Sequence, residues 1–362
     1  MVGTGALAGC VGQRGETTEE GTDGQEPTEQ STEQPTEETD SGGFQKLWEN
    51  DLGDANPSSS DDVQLAADEE TAYLGTESEL TALSLADGTE QWALSLDTPL
   101  DGMAIDDDGL FTLQTETVQA IDPDTGESRW TTTAANSESG SRVVTTDEHI
   151  AAGRNGGALV FGKASGQQTA RLTGNYEDPV RAWNGQFVVA EESGVTAYDP
   201  DGTVQWTIED VWLSWLTPVA GSTVVGSARI GSSSGTFVGI DLETGSQRWT
   251  TDVSTDIPYP TTAATDDTVF VYSGDDYADT FYALDVETGD TRWTVSGADF
   301  APFPPVVLES AVVVDLDEGV QARDPRTGAQ IASSDEFRSF IAATGSGRTM
   351  VMYGRNAVAY RL

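Results

Sequence analysis

The sequence predicts an all-β protein, an eight-bladed β-propeller built from four-stranded antiparallel blades. Three observations predict it. Variants of one segment, AIDPDTGESRW at residues 120–130, return from end to end of the chain at a period of about forty residues, the spacing of a propeller blade. Each period contains short runs of alternating Val, Ile, Leu, Thr and Tyr separated by Asp/Gly/Ser/Thr turns, as the strands of a meander are. No ten-residue stretch carries helical periodicity with caps.

The other copies read ALSLADGTEQW (82–92), AYDPDGTVQW (197–206), GIDLETGSQRW (239–249) and ALDVETGDTRW (283–293). A weaker ARDPRTGAQIA (322–332) and a more eroded FGKASGQQTA (161–170) complete the set. In the unit ending at Trp293 the alternation predicts strands at 261–264, 268–272, 281–285 and 290–295.

The repeated turn has a mechanism. In DPDTG (122–126), Asp122 can accept backbone N–H bonds, Pro123 presets φ, and Gly126 supplies the left-handed residue that reverses the third strand into the fourth. Glycine recurs at 88, 126, 166, 202, 245, 289 and 328, and tryptophan follows four residues later at Trp92, Trp130, Trp206, Trp249 and Trp293. Ala170 and Ala332 replace it in the other two units. A large flat side chain at one fixed place per blade is expected to dock on the neighbouring blade, burying on the order of 200 Å² each time. These tryptophans are read as structural.

Counting third strands gives eight, the last at 357–362, and that unit has no fourth strand of its own. Residues 44–52, FQKLWENDL, carry Trp48 and look like a fourth strand without a preceding partner. Pairing the two closes the ring and removes two exposed edges. Seven blades is the alternative, should unit three or eight not form a blade.

Charge narrows the environment and the partners. The chain of 362 residues holds 62 acidic and 17 basic residues; residues 44–362 alone hold 52 and 16. Lys46 and Lys163 are the sole lysines. Carboxylates in such excess repel one another in dilute buffer and are tolerable where concentrated salt screens them, so the surface reads as halophilic. Nucleic acid is excluded as a partner, because binding it relies on a basic footprint.

Cys10 is the only cysteine, which rules out internal disulfides. It ends MVGTGALAGC, whose Leu7, Ala8, Gly9 and Cys10 resemble a lipobox. Residues 1–10 are therefore read as a shortened lipoprotein signal with Cys10 as the lipidation site; a chance cysteine in a Gly/Ala-rich start is the competing reading. Residues 11–43, rich in Thr, Glu and Gln, have almost no apolar side chain and are expected to form a disordered tether. Residues 44–362 are the propeller. Membrane contact is expected through the lipid alone, since no segment has the length and apolarity to span a bilayer.

The ALDxxTGxxxW residues resemble the pyrroloquinoline-quinone (PQQ) type repeat. In length and blade count the chain is similar to the BamB group of non-catalytic PQQ-like propellers, lipoproteins that scaffold membrane-protein assembly, here of a halophilic, haloarchaeal type. The resemblance covers about residues 44–362 and implies fold more specifically than activity. Quinoprotein dehydrogenases share the repeat, but in that family the propeller is far longer, a vicinal disulfide covers the quinone, and Glu, Asn and Asp hold calcium. One cysteine does not fit that pattern. No cofactor is expected, PQQ included, and calcium stays open.

Catalytic constellations are not evident. His149, the only histidine, sits beside Asp147 and Glu148 on a predicted turn of blade three, and sequential neighbours without a converging partner read as a solvated turn. The acidic runs Asp106, Asp107, Asp108 and Asp266, Asp267 lack the ligand spacing of a calcium loop and read as hydrated turns.

Loop geometry supplies candidate contact residues. The connections between blades and between second and third strands emerge on one face of a propeller. That face is expected to carry Trp212, Trp215, Tyr259, Phe300 and Phe303, together with Arg154, Arg229 and Arg355 in the 2–3 loops and Arg181 and Arg338 near blade junctions. Arginine interleaved with aromatics is what an anchor surface for a membrane or secreted protein, or a peptide, needs. The same residues could instead wedge between blades and neutralise local acid. A quinone- or sugar-processing enzyme with a site in the central channel, and a solute-binding or sensor module, are the other function classes considered.

Overall fold

The computed structural model describes residues 43–51, 63–115, 117–134, 142–154, 156–174, 180–191, 194–209, 213–229, 235–255, 262–273, 280–297, 304–316, 319–335, 342–354 and 356–362, the side chains of 154, 213–215, 227, 229, 252, 254, 255 and 342 excepted. The signal-like segment expected at 1–10 and the tether expected at 11–43 lie outside the described residues, Gly43 excepted. Among the described residues there are 32 strands, β1 to β32 in chain order, and no helix. They form eight separate four-stranded antiparallel sheets. The predicted fold class stands, with eight blades rather than seven.

Blade one is β2 to β5 (Gln64–Ala67, Thr71–Gly75, Glu79–Ser84, Glu90–Ser95), each hydrogen-bonded to the next. Blades two to seven repeat this meander in steps of four strands up to β29 (Gln330–Ser334). Blade eight is built from both ends of the propeller: β30 (Ala342–Ser346), β31 (Thr349–Tyr353) and β32 (Ala357–Arg361) are completed by β1 (Gln45–Asn50), antiparallel to β32. Trp48 pairs with Ala359 in that ladder, as Trp92 does with Ala82 and Trp293 with Ala283. The residue opposite each tryptophan is small throughout the repeat, which explains the alanine at the head of the motif. Just beyond that pair every outer ladder slips by one residue, a bulge that bends the outermost strand.

The apolar core is not one body but eight. Each buried cluster draws residues from two consecutive blades, so that the eight clusters correspond to the eight junctions. Between blades five and six, for instance, Val225, Phe237 and Trp249 meet Val269, Val271 and Leu284. Third strands are buried almost throughout, as in GVTAY of β16 (Gly194–Tyr198). Outer strands alternate or are largely exposed, as in VQWTIE of β17 (Val204–Glu209). The junction between blades seven and eight buries Phe44, and that between eight and one buries Trp48. Both depend on the same short closing strand.

Candidate functional site

The repeated residues hold blades together, and their geometry is uniform. The indole N–H of each motif tryptophan donates to the carbonyl of the second turn residue in the next blade: Trp48 to Leu85 at 3.0 Å, Trp92 to Pro123 at 2.8 Å, Trp130 to Lys163 at 2.6 Å, Trp206 to Leu242 at 3.0 Å, Trp249 to Val286 at 2.9 Å and Trp293 to Pro325 at 2.9 Å. Each ring also lies flat on that turn's glycine, so closely that a Cβ on Gly289 would sit 2.5 Å from the Trp249 ring. At blade three, where Ala170 stands in place of tryptophan, the hydroxyl of Thr169 donates to Pro200 at 2.8 Å instead. At blade seven Ala332 faces Gly43, and Phe44 is buried in the same cluster.

Turn aspartates form a second repeated device. The carboxylates of Asp241 and Asp285 accept backbone N–H groups within their own turns and pair with the arginine just before the tryptophan, Arg248 and Arg292. Burial pushes both carboxyls up, but the guanidinium and the turn amides outweigh it, holding them below the usual range. Asp122 is held down first by Arg129, and Asp324 first by the Thr327 amide. A lowered folded value means that this stabilisation is complete above an unfolded value of about 4 and disappears as pH falls through the folded one. Because protonation elsewhere also relieves carboxylate repulsion, the informative measurement is a difference. Denaturant midpoints are expected to show Arg248→Gln less stable than the parent near neutral pH, with the gap closing as Asp241 is protonated at low pH; a gap constant with pH would refute the pairing.

The residues expected on a binding face are mostly not placed. Trp212, Tyr259, Phe300, Phe303, Arg338 and Arg355 lie outside the described residues. Arg154 ends β11 (His149–Arg154) and Arg229 ends β19 (Thr223–Arg229), the second strands of their blades; their side chains are not described. Trp215 is in β18 (Leu213–Leu216), the innermost strand of blade five, rather than in a loop; the apolar pattern before it continues into pairing with β19. Arg181, in β14 (Val180–Trp183), is only 5% exposed. Its guanidinium donates to the carbonyls of Thr217 at 2.8 Å, Leu216, and Val180 at 2.8 Å, tying blade four to blade five.

The acidic turns are not simply hydrated. Lys163, with its side chain 8% exposed, places its ammonium 2.5 Å from Asp106 and 3.1 Å from Asp108, with the Phe111 ring centroid 5.7 Å away. Asp267 pairs with Arg292 at 3.0 Å and lies 3.9 Å from Arg326. Among the described residues no three His, Cys, Asp or Glu side chains converge as a metal site, and no helix could cross a membrane.

A cleft of about 530 Å³ opens on the turn side of the junction between blades three and four. It is lined by the turn 146–149 with Asp147, Glu148 and His149, by Thr169, by Gly185 and by the turn 199–201. Asp199 accepts from Gln186 at 3.2 Å and from Gln205, and Gln205 occupies the place that Arg248 and Arg292 hold in other blades. Sequence reasoning treated His149 as an isolated turn residue. The usable signals were two gaps in the repeat, Ala170 for tryptophan and Gln205 for arginine, and only the fold brings them to one junction.

Fold and turn chemistry together define a PQQ-like repeat propeller. The family model for outer membrane protein assembly factor BamB matches residues 114–257 and, overlapping, 191–346, and the chain belongs to that family. Among solved structures it is similar to BamB from Moraxella catarrhalis, at 14% identity and a TM-score of 0.65 over 87% of this chain and 100% of that one. It is similar also to the computationally designed Ika8 protein, at 14% identity and a TM-score of 0.68 over 88% and 99%. At that identity the likeness concerns the fold. No curated protein sequence matches the chain.

Proposed function

We propose that this chain is a non-catalytic scaffold that binds a membrane or secreted protein, or a peptide segment of one, at the extracytoplasmic face of the cell membrane, anchored by lipid on Cys10. The observation that carries the reading is the fate of the repeat: its tryptophans, turn glycines and turn aspartates join or build blades, which leaves recognition to the connections between them. Membership of a family described as an assembly factor supports a role in contact with other proteins. The acidic surface suits concentrated salt, and no cofactor enters this reading.

Affinity capture from membranes in concentrated salt tests it. A partner identified by mass spectrometry, recovered reproducibly and lost on Trp212→Ala or Arg229→Ala, is the expected result. Uptake of PQQ by the purified protein with micromolar affinity, or no partner that depends on either residue, would overturn it.

A further inference from the structure

We infer that Asn184 is a site of spontaneous covalent modification, losing its amide in the folded protein to give isoaspartate and aspartate. The reaction needs an asparagine with an unengaged side chain, followed by a residue whose backbone nitrogen is unhindered. Asn184 and Gly185 are the two residues that join β14 to β15 (Gln186–Glu191), and Trp183 pairs with Gln186 across them. Both have positive φ, +46° and +79°, as a two-residue type I′ hairpin turn requires. Both are exposed, and a Cβ added to Gly185 would meet no atom within 4 Å.

The protein contains its own comparison. Asn50 donates its amide to the Gly88 carbonyl, and Asn356 donates to the Glu49 carboxylate at 2.6 Å. Residues with side chains follow both, Asp51 and Ala357. Of the three described asparagines, Asn184 is the one that precedes a glycine, and among the described residues its amide has no hydrogen-bond partner. A second Asn-Gly pair begins at Asn155, outside the described residues.

The step needs no reagent but water. The Gly185 nitrogen bonds to the Asn184 Cγ while the bond from that carbon to the amide nitrogen breaks. The Gly185 proton leaves with the amide as ammonia, and a succinimide ring remains. Water then opens the ring. Addition at the main-chain carbonyl leaves the chain running through the side chain as an isoaspartyl link, and addition at the side-chain carbonyl gives ordinary aspartate. Type I′ geometry, the mirror of type I, holds the Asn184–Gly185 peptide away from the orientation that ring closure needs. The reaction therefore runs through brief opening of this exposed turn, the kind of local motion that costs a fold least. An isoaspartyl link inserts an extra backbone atom into a two-residue turn, which breaks the pairing of Trp183 with Gln186. Each of those residues holds a further bond: the Trp183 indole donates to the Gly221 carbonyl of blade five at 3.1 Å, and Gln186 donates to Asp199 at 3.2 Å. Modification at one turn thus loosens blade four and its junction with blade five.

This chemistry does not depend on what the propeller binds. The full chain would be held in concentrated salt at mildly alkaline pH, digested, and read residue by residue by mass spectrometry with electron-transfer fragmentation, which separates isoaspartate from aspartate. Amide loss at Asn184 is expected to run about tenfold faster than at Asn50 and Asn356, whose amides must first give up their hydrogen bonds. Asn184→Gly keeps a turn residue at ease with positive φ and removes the amide. After the same incubation that variant is expected to keep its denaturant midpoint while the parent's falls. An Asn184 amide that stays intact, or outlasts that of Asn50 or Asn356, would overturn the site. A midpoint that falls equally in the Asn184→Gly chain would overturn its effect on the hairpin.

Discussion

A chain lacking residues 1–51 is expected not to fold to a stable propeller, whereas one lacking only residues 1–42 keeps the stability of the full chain. The difference is β1. This strand covers β32, which without it would present a full row of unpaired N–H and C=O groups. It also brings two large side chains, Phe44 and Trp48, 1% and 8% exposed, into the two junctions that flank blade eight. Losing either costs about 3–5 kcal/mol by analogy with core truncations, and together they approach the 5–15 kcal/mol that typically separates folded from unfolded domains. Because each core cluster is shared between neighbours, opening one blade weakens the junctions on both sides. Size-exclusion chromatography and chemical denaturation of the two shortened chains check this; a monomeric, cooperatively unfolding protein without β1 would show that the ring does not need to close.

Replacing Trp249 by alanine is expected to destabilise the protein by about 3–5 kcal/mol. This indole is 8% exposed, donates to Val286 at 2.9 Å across the junction, and packs with Phe237, Val269 and Leu284. Trp249→Phe keeps much of the apolar surface and loses the hydrogen bond, so about 1 kcal/mol of additional loss over the packing change is expected from that bond alone. The tightest check is a double-mutant cycle with Gly289→Ala. Gly289 has φ +74° and its missing Cβ would lie 2.5 Å from the indole, so the single change carries both backbone strain and a steric clash. In the Trp249→Ala background the clash disappears and only the strain remains, which makes the two changes less than additive. Strict additivity in denaturant midpoints would mean that the ring does not rest on that turn.

Much of this architecture was legible in the residues. The period, the turn chemistry and the orphan Trp48 strand led to eight blades and to the closure, because strands, tight turns and a missing fourth strand are local properties that a sequence displays directly. Strand limits agree closely too: 268–272 was expected where β23 (Thr268–Ser273) lies. Three things were not legible. Arg181 looked like a surface contact, but it is buried and bonded to the carbonyls of blade five, since burial is set by a neighbour 35 residues further along. Asp106 and Asp108 looked like hydrated turn residues, yet Lys163 from 55 residues away sits on them. Trp215 looked like part of a loop, although strand pairing with β19 places its backbone in β18.

The sequence by itself determined the blade, the number of blades and the way the ring closes, because a repeated strand-turn-strand unit is encoded by nearest neighbours along the chain. Only the tertiary structure decided which irregularities matter. Ala170, Gln205, Glu148 and Asp199 are scattered over 58 positions, and each is an unremarkable variation within its own unit. They meet at one junction because consecutive blades pack side by side, and that juxtaposition is a property of the junction rather than of either repeat.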